Sequence, residues 1–318
     1  MARIRTLMLG WEFPPFINGG LGVACGLVNA LAPRSELSLF LPKFRNSASK
    51  TKIQIIPTHY LTHPADFDPY LDANQTEEIY NKDLDERVEV YSDEAIEASK
   101  EISFDVIHAH DWLTAIAALK IREKSGKPLI FHVHSLNYDR AGPDEQGQIY
   151  NLEKQVLQKA DHVIAVSHYT KKICIDYYDA DPEKISVIHN GISPIQAYRH
   201  PKPFPDHLVV FLGRMTRQKG PSHFLEIARK VLSQISNVRF VMAGTGDQLK
   251  TLMTKSIRLG IANRCHFTGF LGREKIRDLL SMADVYCMPS ISEPFGLSAL
   301  EAAQFGVPVV ISKQSGAA

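Results

Sequence analysis

The chain reads as an α/β protein built from two parallel-sheet domains, and three features of its 318 residues carry that reading. Short apolar runs alternate with longer amphipathic stretches almost throughout, the grammar of βα units whose helices cover a parallel sheet. The alternation breaks at SPIQAYRHPKPFPDH (193–207), which holds four prolines and no apolar period, and then restarts. Nearly every glycine cluster or unusual polar group follows an apolar run, at the strand end where open α/β sheets bind ligands.

Taken in order, apolar runs predict strands near 4–9, 37–41, 52–56, 104–108, 129–133, 162–166 and 185–188. Between them, Leu21, Ala24, Val28 and Leu31 share one helical face over 20–32, and Ile149, Leu152 and Val156 share another over 146–159. Residues 57–80, rich in proline, aspartate and aromatics, read as an irregular surface excursion. Past the proline-rich stretch, strands are expected at 208–212, 238–242, 265–268, 284–288 and 307–311. Helices are expected at 218–235, 247–259, 273–282 and 297–305. The division is therefore 1–192, a linker at 193–207, and 208–318. Five strands fall short of the six common in a doubly wound sheet, so the second domain is expected to be incomplete at its C-terminus. Its exposed edge is expected to favour homo-oligomers.

Bulk properties narrow the function. Lys+Arg number 36 against 35 Asp+Glu, and no basic run occurs, which argues against nucleic-acid or anionic-membrane partners. The first apolar run is too short for a signal h-region or an integral membrane segment. Cys25, Cys174, Cys265 and Cys287 are widely spaced, as in a cytoplasmic protein with packed, reduced thiols.

The polar clusters point to a cleft between two decorated sheet edges. Gly19-Gly20-Leu21-Gly22 opens a helix and reads equally as a phosphate-cradling loop or a tight turn. It is not the dinucleotide fingerprint, because Cys25 stands where glycine or alanine is required. Gly244-Thr245-Gly246 reads as a plain turn. Arg214 and Lys219, just past a strand, suit a diphosphate leaving group, an arginine fork beside a lysine point charge; the alternative is a solvated basic turn. Glu293 and Glu301 lie eight residues apart, one in a loop and one two turns into the next helix. Glu301, among Leu300, Ala302, Ala303 and Phe305, is expected on a mostly buried helix, where its carboxylate can accept hydrogen bonds from a ribose diol. His108 and His132 are expected to point away from His110 and His134, as packing residues. Asp66-x-Asp68, Asp83-x-Asp85 and Asp179-x-Asp181 read as solvated surface rather than metal-binding motifs.

These motifs together resemble the retaining GT-B glycosyltransferases of the GT4, or glycosyl transferase group 1, type, particularly glycogen and starch synthases. The resemblance covers essentially the whole chain and is most specific at Glu293-x7-Glu301 following Arg214 and Lys219. It implies two Rossmann-like domains facing across a cleft. The implied activity is retaining transfer of a hexose, glucose above all, from UDP- or ADP-sugar to a glycan or glucan acceptor, with no cofactor and no required metal. Carried over by motif, Gly20 and Gly22 would lie near diphosphate and acceptor, and Asp111 on the acceptor side. His134 and Asn190 would face the transferred sugar, and Arg214 and Lys219 would grip the diphosphate. Glu293 would stand beside the reacting sugar and Glu301 on the ribose, while amides of Phe295, Gly296 and Leu297 would hold sugar hydroxyls.

The chain departs from bacterial glycogen synthases at Ile17-Asn18, where they carry Lys-Thr, and at His134-Ser135, where they carry His-Asn. Two other readings remain: a nucleotide-sugar epimerase of the same two-domain plan, and an inactive fragment that only binds nucleotide sugar or glycan.

Overall fold

The computed structural model describes residues 3–11, 23–41, 54–57 and 77–318, and of these the side chains of 23–26, 54–57, 77–85 and 87 are not described. The chain divides into two units, Met1–His189 and Asn190–Ala318. The glycine loop at Gly20 and Gly22, and most of the excursion expected at 57–80, lie outside the described residues.

The first unit runs β1 (Ile4–Leu9), α1 (Val23–Leu31), β2 (Ser35–Leu41), β3 (Gln54–Pro57), α2 (Glu77–Lys100), β4 (Val106–His110), α3 (Ala115–Ser125), β5 (Leu129–Val133), α4 (Asn137–Ala141), α5 (Gln148–Lys159), β6 (His162–Ala165), α6 (His168–Tyr178) and β7 (Ile185–Val187). Its strands form one parallel sheet in the order β3-β2-β1-β4-β5-β6-β7. The order reverses between β1 and β4, where such sheets open a crevice at their carboxyl ends. Ile107, Ala109, Phe131 and Val133 alternate onto one face of β4 and β5 and join the main core, together with Ala115, Ala118 and Ile121 of α3.

The helix α2 begins at Glu77, inside the stretch 57–80 read as irregular. Val88, Tyr91, Ala95 and Ile96 form its buried stripe, at helical spacing. Tyr91 anchors it to the sheet: its hydroxyl donates to the Gly10 carbonyl at 3.2 Å, and its ring packs edge-on against Phe40.

The second unit runs β8 (His207–Leu212), α7 (Pro221–Leu232), β9 (Val238–Ala243), α8 (Leu249–Arg258), β10 (Cys265–Gly269), α9 (Arg273–Met282), β11 (Val285–Met288), α10 (Leu297–Gln304) and β12 (Val309–Ile311). Its parallel sheet has the order β10-β9-β8-β11-β12, again reversing beside its first strand. Separate apolar clusters back its two faces, one around Phe211, Phe224 and Phe240 and the other around Tyr286, Ala302 and Phe305.

The proline-rich segment 193–207 is bound to this second unit. The Ile195 amide donates to Gln304 Oε1 at 2.9 Å, the Tyr198 hydroxyl to Asp278 at 3.0 Å and the Arg199 guanidinium to the Ala283 carbonyl at 2.9 Å. Lys202 pairs with Asp284, and Arg239 lies over the Phe204 ring. Among the described residues no helix is long and apolar enough to cross a membrane.

Candidate active site

In the second unit the polar residues gather at the carboxyl ends of β8 and β11. Past Leu212 the chain turns through Gly213, Arg214 and Met215 into a 3₁₀ turn, Arg217–Lys219, closed by Gly220. Two neighbouring loops hold this turn. The Gly213 amide donates to the Ala243 carbonyl at 3.0 Å and the Met215 amide to the Thr245 carbonyl at 2.7 Å. Gly244 (φ +136°) lies so close that a Cβ there would sit 2.0 Å from the Gly213 carbonyl oxygen. At Gly220 (φ +65°) a Cβ would stand 2.0 Å from the Pro289 carbonyl oxygen. Gly244-Thr245-Gly246 is thus a packing turn whose glycines let the Arg214 loop approach.

Gly244→Ala should therefore displace backbone rather than a side chain. The expected loss is about 3 kcal/mol or more, from overlap and positive-φ strain together. Gly272→Ala, with open space around its Cβ, should cost under about 1 kcal/mol. Urea titration of both variants checks this, and equal midpoints would refute the packing role.

Lys219 and Glu293 meet directly: Nζ stands 2.7 Å from Oε2, and the carboxylate is almost fully enclosed. The Glu293 backbone is clamped in turn. Its amide donates to the Gln314 carbonyl at 2.8 Å, and its carbonyl accepts from the Gly316 amide at 2.9 Å. Phe295 is buried, Gly296 (φ +98°) is the N-cap of α10, and Leu297 opens that helix. Arg214 is half-buried.

Glu301 differs from expectation. The helix α10 is amphipathic rather than mostly buried: Ala299 and Ala302 face the core, while Glu301 is exposed. Crowding pushes its carboxyl pKa upward, against the pull of Arg273 and Arg277. Asn190 follows β7 in irregular chain at the start of the second unit and is half-buried.

In the first unit Asp111 stands just past β4 with φ 56° and ψ 176°, a conformation costly for any residue but glycine and concentrated at functional sites. Its surroundings explain why it persists. Oδ1 accepts from the His134 amide at 2.7 Å and the Ser135 amide at 3.3 Å, and the Asp111 amide donates to the His132 carbonyl at 3.0 Å. Asp111 thus holds the loop that carries His134, with its own carboxylate buried. Burial pushes that carboxyl up to about 7, opposed by the His134 amide and by Arg140.

His108 and His132 do not point away from His110 and His134. Residues two apart on a strand share a face, and β4 and β5 align His110 beside His132. All four imidazoles stand together, with ring centroids 4.4 Å apart for His108 and His110 and 4.3 Å for His132 and His134. His110 Nδ1 and His134 Nε2 share a hydrogen bond of 2.9 Å. Burial depresses every one, His108 to about 4 and His134 to about 3, with His110 and His132 well below the usual range. The imidazoles are neutral at physiological pH.

Sequence reasoning missed Glu153. It is buried in the centre of α5 and accepts from the Asn137 amide (3.0 and 2.8 Å), Arg140 (2.9 Å) and the Tyr178 hydroxyl (2.8 Å). Arg140 also donates to Ser135 Oγ at 2.9 Å. Asp111 and Glu153 thus fix the two ends of the loop 134–140. The signal was present, since Glu153 lies four residues past Ile149 and three before Val156, inside an apolar stripe.

Comparison with known proteins places these features. A family model described as glycosyl transferases group 1 matches residues 195–318, and one described as glycosyltransferase family 4 matches 86–195. The chain is 26% identical over 333 residues to the glycogen synthase of Mycobacterium tuberculosis, covering 98% of this chain and 79% of that protein. Among solved structures, the sucrose-phosphate synthase of Thermosynechococcus elongatus superposes with a TM-score of 0.77 at 21% identity, over 99% of this chain and 82% of that one. An Anabaena protein in complex with UDP and glucose superposes with a TM-score of 0.71 at 19% identity, over the same 99% and 82%.

Proposed function

Because this chain belongs to the glycosyltransferases of the group 1 and family 4 type, with their GT-B fold, we propose that it transfers a hexose, with retained anomeric configuration, from a nucleoside-diphosphate sugar to a glycan hydroxyl. The observation that carries this reading is the loop assembly of the second unit, where Arg214 and the Lys219–Glu293 pair lie at neighbouring strand ends beside the N-terminus of α10. In the reaction the bond between the anomeric carbon and the diphosphate oxygen breaks. A bond to the acceptor oxygen forms, and the acceptor proton leaves. Negative charge grows on the departing diphosphate, and Arg214 and Lys219 supply the fixed positive charge that meets it. Charge supplied by side chains leaves no task for magnesium or manganese there.

The other roles follow from chemistry and placement. Glu293 orients Lys219 and borders the sugar, whose hydroxyls take the amides of Phe295, Gly296 and Leu297. Glu301 accepts from the ribose diol, for which its open position on α10 is suited. His134, neutral and held by Asp111, donates or accepts at a sugar hydroxyl, and Asn190 contacts the same sugar. Asp111 acts through the backbone of His134 and is a positioning residue. The nucleotide is UDP or ADP; proteins of the same fold are known with UDP and glucose in one case and with ADP in another.

Turnover of a panel of UDP- and ADP-sugars with glucan acceptors tests this, with the product anomer read by NMR. Retained configuration and no gain from added magnesium or manganese are expected. An inverted product, or epimerised donor without an acceptor, overturns the reading. Glu301→Gln should raise the Kd for free UDP about 10-fold by weakening charge-assisted bonds to the ribose. Its thermal transition should be unchanged, because the side chain is exposed. Unaltered UDP affinity by calorimetry would remove Glu301 from the ribose.

A further inference from the structure

The four buried histidines of β4 and β5 are not needed by the transfer chemistry beyond His134, and their arrangement has a consequence of its own. His108 and His110 alternate onto the same sheet face as His132 and His134, while the opposite face of these strands is wholly apolar. All four are at least nine-tenths buried. Among the described residues, five of their ring nitrogens have no hydrogen-bond partner: His108 Nε2, His110 Nε2, both nitrogens of His132, and His134 Nδ1. Buried polar atoms are nearly always partnered, so a cluster of orphans calls for a ligand or ion.

We propose that His108, His110 and His132 form a nitrogen-donor site for one transition-metal ion of the zinc class. One ring nitrogen from each lies within 4.8 Å of the others. Ligand nitrogens of a tetrahedral zinc, at about 2.0–2.1 Å from the metal, stand about 3.4 Å apart. The terminal torsion of an imidazole is broad, so closing from 4.8 Å to that spacing asks for ring rotation rather than movement of the strands. His110 has the orientation such a ligand needs: Nδ1 is engaged by His134 Nε2, and Nε2 has no hydrogen-bond partner among the described residues; with Nδ1 as the donor of that bond, Nε2 presents its lone pair to the ion. Neutral imidazoles are the ligating form, and an all-nitrogen donor set selects zinc, copper or nickel over magnesium or calcium. The ion would tie the carboxyl ends of β4 and β5 together immediately before Asp111 and His134. This site belongs to the first unit, so its failure would leave the transferase reading untouched.

The experiment uses the full chain without a histidine tag, saturated with Zn²⁺, passed through gel filtration and analysed for metal. About one tightly held zinc per chain is expected, as is a higher thermal transition in its presence. X-ray absorption at the zinc edge on this unaltered chain should show three imidazoles at about 2.0–2.1 Å. His132→Gln should lose the zinc and the thermal shift, whereas replacing exposed His200 and His266 together should change neither. Substoichiometric zinc, fewer than three imidazoles, or zinc retained by His132→Gln while lost from the surface variant would each overturn the site as an adventitious one. The absorption measurement decides the matter even if His132→Gln does not fold.

Discussion

Lys219→Ala should lower kcat by about 10²–10³ with a much smaller change in KM for the donor. The reasoning starts from charge. The diphosphate oxygen gains most of its negative charge as the anomeric bond breaks, so a cation beside it stabilises the transition state more than the bound donor. Lys219 carries three donors; one reaches Glu293 Oε2 at 2.7 Å, and the others remain for phosphate. Arg214→Ala should behave likewise, since both side chains stand on one loop.

The pairing with Glu293 adds a second, separable effect. Alanine at 219 strips the partner from an almost fully enclosed carboxylate, which should cost about 1–3 kcal/mol of stability. Adding Glu293→Gln removes the stranded charge. The double variant should recover stability by urea titration while its turnover stays low. The two measurements therefore separate a charge that serves catalysis from one that only balances its neighbour. A kcat for Lys219→Ala within about twofold of the parent would show the lysine to be a structural counter-ion and nothing more.

How much of this was legible in the sequence depends on the residue. Strand β1 and helix α9 occupy the predicted spans because their apolar periods are bounded by sharp polar ends. The start of α2 was not legible, since its acidic first half has no apolar stripe to set a period. Its second half was legible in principle, with Val88, Tyr91 and Ala95 at helical spacing. The histidine pairs were misplaced by parity alone: residues 108 and 110 lie two apart on a strand and must share a face. Glu301 was misjudged because its alanine neighbours are compatible with either face of a short helix. The prolines of 193–207 break the apolar pattern a few residues past the division between the two units at His189 and Asn190. They could not reveal that Tyr198, Lys202 and Phe204 are bound to the second unit, because those contacts reach residues 35 to 82 positions away. Long-range pairing of that kind leaves no local signature.

Glu153 was legible by its place inside the apolar stripe of α5 and was overlooked; its removal should have the largest effect on folding. Every neighbour of its carboxylate is a donor: the Asn137 amide, the Arg140 guanidinium and the Tyr178 hydroxyl. The Tyr178 hydroxyl accepts in its turn from the Tyr138 amide at 3.1 Å, so one acid organises the first turn of α4. Burial pushes the Glu153 carboxyl up to about 7, with Arg140 and the Asn137 amide pulling it back. Such a group contributes only while its partners are in place. Glu153→Ala leaves the cation half-paired, two donors unanswered and a cavity within α5, and should cost about 3–5 kcal/mol. Glu153→Gln keeps one acceptor oxygen and should cost about 1–3 kcal/mol. If the loop 134–140 is held from both ends as described, Glu153→Gln should also lower kcat, through His134, with little change in UDP affinity. Combining Arg140→Met with Glu153→Gln removes both charges, so the pair should cost less stability than the two single changes summed. Additive losses in that cycle, or full stability in Glu153→Ala, would mean that the loop carrying His134 is held by Asp111 alone.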